Sequence, residues 1–227
     1  MTKDPTIGFL CFDNDLRERC LSCLESLSKV SGTNYQVVSI IADTNSHIIT
    51  VGGDGTVLAG ANEAWKHGIP LIGVSAGHLG FLSMNKVNSE MFRIPHSPDV
   101  MFSLLVKALI EKNCPDLGIQ KRKVLECNSF SMHAFNEIGI LSAFPGKMVE
   151  IEISVNGEVM SKYQGDGAIL STPTGSTAYN LSAGGPIVHP SADVIAITPI
   201  SSFSMSARPM IVPGDSKIDF RILSEMD

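Results

Sequence analysis

His47-Ile48-Ile49-Thr50-Val51-Gly52-Gly53-Asp54-Gly55-Thr56 runs from a β-branched apolar stretch into three glycines wrapped around one aspartate, and a helix-like segment, 57–67, follows. Strand, glycine-rich turn and helix, in that order, let bare backbone N–H groups approach a phosphate closely. A carboxylate at the centre of such a turn repels a phosphate. Asp54 makes sense there if it handles a proton or a metal beside the phosphate, which points to phosphoryl transfer. A plainer reading makes it a tight turn with Asp54 capping the helix, and the stretch alone leaves both open.

Outward from that turn, the first third of the chain alternates strands and helices. The apolar run 7–12 reads as a buried strand, and Asn14 and Asp15 cap a helix to about Lys29 with Leu16, Cys20, Cys23, Leu24 and Leu27 along one face. Segments 36–42 and 47–51 read as further strands. Gly68 and Pro70 stop the helix after the turn, and 71–75 makes another buried strand. Such alternation implies a parallel sheet with helices on its faces, and ligands bind at the carboxyl ends of its strands. After Asn85 the character changes. One more helix, about 99–112, precedes short β-type segments at 124–130, 148–155, 159–163, 168–171, 194–197 and 218–222, with Asn156-Gly157 as a hairpin signal. The expected fold is α/β: a Rossmann-like domain over 1–90 carrying the glycine turn, and a mainly β, dinucleotide-binding domain over 91–227.

Composition narrows the function. The 227 residues are 44% hydrophobic and 18% charged, as in a globular protein of one large or two small domains. A net charge of −6 argues against nucleic-acid binding, which needs a basic stripe to neutralise phosphates. The one basic cluster, Lys121-Arg122-Lys123, reads as a solvated turn. Five cysteines make an odd count; Cys20 and Cys23 form a C-x-x-C inside a helical segment, without the second pair of a zinc site, and read as thiols of a reduced cytosolic protein. The six histidines show no metal-ligand spacing. No apolar run approaches the roughly 18 residues of a membrane span, and 7–12 is too short for the core of a signal peptide. The expectation is a cytoplasmic protein with no membrane partner.

Two further segments carry chemistry. Asn136-Glu137 interrupts the moderately apolar run 133–140, and burying two such groups unpaired costs several kcal/mol. They either bond to the hydroxyls of a bound sugar or lie on an edge strand with Glu137 facing solvent. The longest is Gly165-Asp166-Gly167, then a short strand, then Thr172-Pro173-Thr174-Gly175-Ser176-Thr177-Ala178-Tyr179-Asn180-Leu181-Ser182-Ala183-Gly184-Gly185-Pro186. A loop so dense in hydroxyls and glycine suits sugar hydroxyls or phosphates without a lysine clamp. An ordinary Ser/Thr-rich surface loop is the alternative. No G-x-x-x-x-G-K-[ST] occurs, and Leu58 stands where a dinucleotide fingerprint needs its third glycine. The sequon Asn180-Leu181-Ser182 carries no meaning in a cytosolic chain.

Gly52-Gly53-Asp54-Gly55-Thr56, Leu79-Gly80-Phe81-Leu82, Asn136-Glu137, Asp166-Gly167, 171–179 and Ser182-Ala183-Gly184-Gly185-Pro186 together resemble the NAD kinase family in order and spacing. The Thr-Pro-Thr-Gly-Ser-Thr-Ala-Tyr block is the specific one. The Gly-Gly-Asp-Gly turn is shared with diacylglycerol-type lipid kinases and phosphofructokinases. The resemblance implies transfer of the terminal phosphoryl of ATP to the adenosine ribose 2′-hydroxyl of NAD, giving NADP, with a divalent metal such as Mg²⁺ and a homodimer or homotetramer. It implies Asp54 as general base with Gly55 shaping the phosphate turn, and Asn136 and Glu137 on the ribose hydroxyls. Asp166 falls near the nicotinamide, and Thr177, Ala178, Tyr179 and Ser182 around the adenine and its ribose. A lipid or sugar kinase, or a dinucleotide-binding module without turnover, are the alternatives. The chain departs from the family at Ser75-Ala76, where Asn precedes a variable residue, at Ser202-Phe203-Ser204, where Pro-His-Ser is usual, and at Gln164, where arginine is common. It is also expected to be short at its C-terminal end.

Overall fold

The computed structural model describes residues 6–35, 37–38, 44, 46–76, 82, 97–112, 119–144 and 146–225. The chain divides into two compact units, 1–119 and 120–227. The first is α/β and the second mainly antiparallel β.

In the first unit, β1 (Ile7–Leu10), β2 (Val37–Val38), β3 (His47–Gly52) and β4 (Leu71–Ser75) form a parallel sheet in the order β2-β1-β3-β4. Residues 36 and 39–42 of the strand expected at 36–42 lie outside the described residues. Side chains alternate along β3. Ile49 and Val51 join the core with Leu16, Cys20 and Leu24 of α1 (Asn14–Ser31) and Phe102, Leu105, Val106 and Leu109 of α3 (Pro98–Ile110). Ile48 and Thr50 face α2 (Asp54–His67), where Gly60 lets the helix lie against the strand: a Cβ there would come within 2.4 Å of Thr50 Cγ2. Asp13, one residue before the expected caps, caps α1 through its carboxylate, which accepts from Leu16 N at 2.9 Å.

α3 lies beyond the domain boundary expected at 90/91 and packs with the first compact unit. Its apolar stripe packs on the first sheet, with the Phe102 and Phe9 rings 4.2 Å apart between centroids, so the division falls after the helix. Burial of Phe102, Leu105 and Val106, each 0% exposed, decides the matter. The apolar area of this stripe has nowhere else to go.

The second unit has two antiparallel sheets. One has the order β12-β11-β10-β7, from β7 (Glu137–Leu141), β10 (Gly167–Ser171), β11 (Val194–Ile200) and β12 (Met210–Pro213). The other has the order β13-β8-β9, from β8 (Val149–Val155), β9 (Glu158–Gly165) and β13 (Ile218–Glu225). A short hairpin of β5 (Leu125–Cys127) and β6 (Met132–Ala134) stands apart. Val149, Ile151 and Ile153 of β8 meet Ala168 and Leu170 of β10 and Ile195 and Ile197 of β11 in one core. The alternating Glu150 and Glu152 point outward, to Lys162 and Arg221 on the flanking strands. Asn156 and Gly157, at φ +52° and +88°, make the tight turn between β8 and β9.

Candidate functional site

The glycine turn sits at the carboxyl end of β3. β3 and β1 are the neighbours at which the strand order of the first sheet reverses, the place where open α/β sheets bind ligands. Gly53 is the N-cap of α2 and its carbonyl accepts from Thr56 N and Val57 N at 3.0 and 3.2 Å. Asp54 is therefore the first helical residue, and the positive end of the helix dipole lies at the turn. Gly52 is glycine for a packing reason, since a Cβ there would lie 2.4 Å from Thr56 Oγ1. Gly53 and Gly55 differ: both are exposed, and added Cβ atoms would meet nothing within 4 Å. Open space flanks the half-buried Asp54 on both sides. The N-cap position is Gly53, not Asp54, and Asp54 Oδ1 accepts from Leu82 N at 3.2 Å. Leu82 is the last residue of Leu79-Gly80-Phe81-Leu82, whose first three lie outside the described residues.

In the second unit the structure brings Asn136-Glu137 and the Thr-Pro-Thr-Gly block together. Glu137 pairs with Ser171 across β7 and β10. Thr172 N donates to Asn136 O at 2.9 Å and Thr172 Oγ1 to Phe135 O at 2.7 Å. A Cβ on Gly175 would fall 2.2 Å from Asn136 O, so only glycine lets the two backbones meet. Glu137 is half-buried. Its Oε2 is buried without a hydrogen-bond partner among the described residues, and burial pushes its carboxyl above the ordinary carboxylate value. An orphaned carboxylate oxygen beside a hydroxyl-rich loop is ready to accept from a ligand.

The loop itself is ordered. Ser176 Oγ donates to Pro173 O at 2.7 Å and accepts from Val188 N at 3.0 Å. Asn180, 0% exposed, donates through Nδ2 to Ser176 O and Pro186 O and accepts from Thr198 Oγ1 at 2.7 Å. This closes α4 (Tyr179–Ser182) over the sheet, and the folded sequon has no room for a glycan. Thr177 and Ala178 are half-buried, and Tyr179 and Ser182 exposed, on the same loop. Asp166 lies apart from Glu137, at the other end of β10, roughly 16 Å along the strand at about 3.3 Å per residue. Its N–H donates to Ile200 O at 3.0 Å and its carbonyl accepts from Ser142 N at 2.8 Å.

Some departures and side readings resolve here. Phe203 is 67% exposed and takes no part in the β core. Cys20 is buried, and burial pushes its thiol up to about 12, so the Cys20 thiol is protonated and inert at neutral pH. Lys121-Arg122-Lys123 is not a solvated turn: Lys123 pairs with Asp193, and Arg122 is half-buried against Thr174. Among the described residues no three His, Cys, Asp or Glu side chains gather in a metal-binding cluster, and no helix is long and apolar enough to cross a membrane.

A family model described as the ATP-NAD kinase N-terminal domain matches residues 6–94, and one described as the ATP-NAD kinase C-terminal domain matches 135–227. A curated NAD kinase of Lachnoclostridium phytofermentans is 37% identical over 88% of this chain and 66% of its own length. A curated NAD kinase of Thiobacillus denitrificans is 35% identical over 80% of this chain and 60% of its own. The chain thus spans less than two thirds of either relative. The crystal structure of yeast NADH kinase with NADH superposes with a TM-score of 0.71 at 24% identity, covering 96% of this chain and 72% of that one, a likeness of fold.

Proposed function

The chain belongs to the ATP-NAD kinase family, and from that premise we propose that it transfers the terminal phosphoryl of ATP to the adenosine ribose 2′-hydroxyl of NAD, giving NADP. The observation that supports this most is the turn itself: a carboxylate at the head of a helix, between two glycines whose added Cβ atoms would meet nothing within 4 Å among the described residues. In this reading the turn holds the phosphates and Asp54 takes the proton of the attacking hydroxyl. The new O–P bond forms as the bond to the leaving ADP oxygen breaks, and the donor's departing charge is spread over its phosphates. Gly55 shapes the turn. Asn136 and Glu137 receive the ribose hydroxyls, with the orphaned Glu137 Oε2 as acceptor. Thr177, Ala178, Tyr179 and Ser182 surround the adenine and its ribose, and Asp166 serves the nicotinamide end.

A divalent metal such as Mg²⁺ fits this donor set. Mg²⁺ is usually held by one or two carboxylates plus substrate phosphates and water, without a protein-built cage. Asp54 is the residue of the turn that would hold it, and the metal would neutralise charge on the transferred phosphoryl group. The four described cysteines are all free thiols, which suits a cytoplasmic setting. A homodimer or homotetramer completes the reading, and sedimentation would test it.

Calorimetry with NAD, followed by a coupled NADP assay with ATP, tests the activity. Binding with product formation supports it. Binding alone makes the chain a dinucleotide-binding module, and absence of binding returns it to lipid or sugar kinases.

A further inference from the structure

Arg122 carries a charge with no carboxylate partner among the described residues. Its guanidinium is half-buried, and burial holds its pKa below the usual arginine range. Asp193 pairs with the neighbouring Lys123, and that pair fills the space where a side chain on Gly214 would stand. Arg122 instead spends its donors on two neutral oxygens. Nη1 donates to Thr174 Oγ1 at 3.3 Å and Nη2 to Gln120 Oε1 at 2.9 Å.

Thr174 is 6% exposed and sits between two residues already anchored. Thr172 is tied to Phe135 and Asn136, and Gly175 is pressed on Asn136. The segment 172–175 is thus gripped on one side by residues 135–136, and on the other by Arg122. A planar guanidinium with donors fixed in a fork is suited to that task, because it holds two acceptors at once with little loss of side-chain freedom.

We propose that Arg122 is a positioning residue: by holding Thr174 it keeps the 172–175 segment against Asn136 and so sets where the Asn136-Glu137 pair stands. For the ligand that senses this, the inference rests on the proposed NAD-binding role of that pair. The positioning itself does not.

Hydrogen–deuterium exchange on Arg122→Met and Arg122→Lys, in the full chain, decides it. In R122M, amides of 172–178 should exchange about 10-fold faster while those of β8 keep their wild-type rates. R122K keeps the charge but gathers its three donors on one nitrogen in place of the planar fork that reaches Thr174 and Gln120 from two, so the same amides should exchange about 3-fold faster. Calorimetry should then show NAD affinity about 10-fold weaker in R122M, with ATP affinity within 2-fold of wild type. Unchanged exchange at 172–178 in both variants overturns the proposal. So does faster exchange spread equally over β8, which makes Arg122 a general stabiliser. If wild-type protein binds no NAD, the functional reading fails while the exchange data still decide the positioning role.

Discussion

Two pairs of glycines, Gly53 and Gly55 in the first unit and Gly175 and Gly185 in the second, look alike in sequence and stand on opposite physical grounds. In the first, Gly53 and Gly55 border open space and could carry a methyl without touching protein. In the second, a Cβ on Gly175 or Gly185 would fall 2.2 Å from Asn136 O or Asn180 Oδ1, so the missing Cβ is a packing requirement. Glycines that the fold does not need leave room for something outside it; glycines that the fold does need hold a scaffold. On the proposed function, chemistry is expected at the first pair and a scaffold for the ligand at the second.

The largest test of that contrast is Asp54→Asn. A general base contributes roughly 10²–10⁴-fold, so the variant should keep NAD binding in calorimetry and lose turnover by about that factor. A near-normal kcat would take Asp54 out of the mechanism.

Alanine substitutions probe the contrast directly. Gly175→Ala forces a methyl into the backbone of Asn136 and should destabilise by about 3 kcal/mol, at the upper end of overpacking costs. Gly53→Ala has space and an extended backbone. It should change stability by under about 1 kcal/mol, as an N-cap substitution does, yet raise KM for ATP. Equal melting losses in urea titrations would erase the distinction.

Glu137 sharpens the positioning side. Glu137→Ala should weaken NAD binding by about 1.5–3 kcal/mol, the range for hydrogen bonds to charged groups. The pH dependence has a definite sign. Burial raises the Glu137 carboxyl above its ordinary 4.5, so the folded state binds that proton more readily than the unfolded chain. The native state is penalised while Glu137 is ionised, at pH above its folded value, and the penalty fades as pH falls toward 4.5. Glu137→Gln should therefore melt above wild type at pH 8 and converge with it near pH 4. Parallel melting curves across that range would place the carboxylate in solvent.

The smallest effect is expected at Phe203. A histidine there can donate to an anionic phosphate and phenylalanine cannot. Because Phe203 is 67% exposed, its replacement costs the β core nothing. Phe203→His should raise kcat/KM for NAD by about 3- to 10-fold, equivalent to about 0.7–1.4 kcal/mol, with an unchanged melting temperature. A fall in both would show that the ring packs after all.

Much of the fold is written in local pattern. The alternation Val149, Ile151, Ile153, Val155 announces β8, and the apolar run ending in Gly52 announces β3, because each strand's periodicity reflects its own two faces. The packing partner of α3 is not legible, because an apolar stripe states that it must be covered, not by what; its partner Phe9 lies near the other end of the unit. β6 and β12 escaped notice, being three and four residues long. In the candidate site, residue types at Asp54, Asn136 and Glu137 were legible since a charge or amide in an apolar setting is conspicuous. Arg122 was not, for a run of three basic residues reads as solvent-facing until Thr174 arrives from 52 positions away.

The Asn156-Gly157 turn between β8 and β9 gives the molecule a shelf life. A glycine after asparagine leaves the following amide nitrogen unshielded, and attack on the side-chain carbonyl closes a succinimide and releases ammonia. The aspartate or isoaspartate that results puts a negative charge at the tip. It also replaces the neutral amide whose oxygen accepts from Lys217 N at 2.9 Å, one of the two hydrogen bonds that tie the turn to the residue before β13. Stored at alkaline pH, the protein should acquire acidic isoforms that begin at this one hairpin, and a preparation's age should be readable from its isoelectric profile.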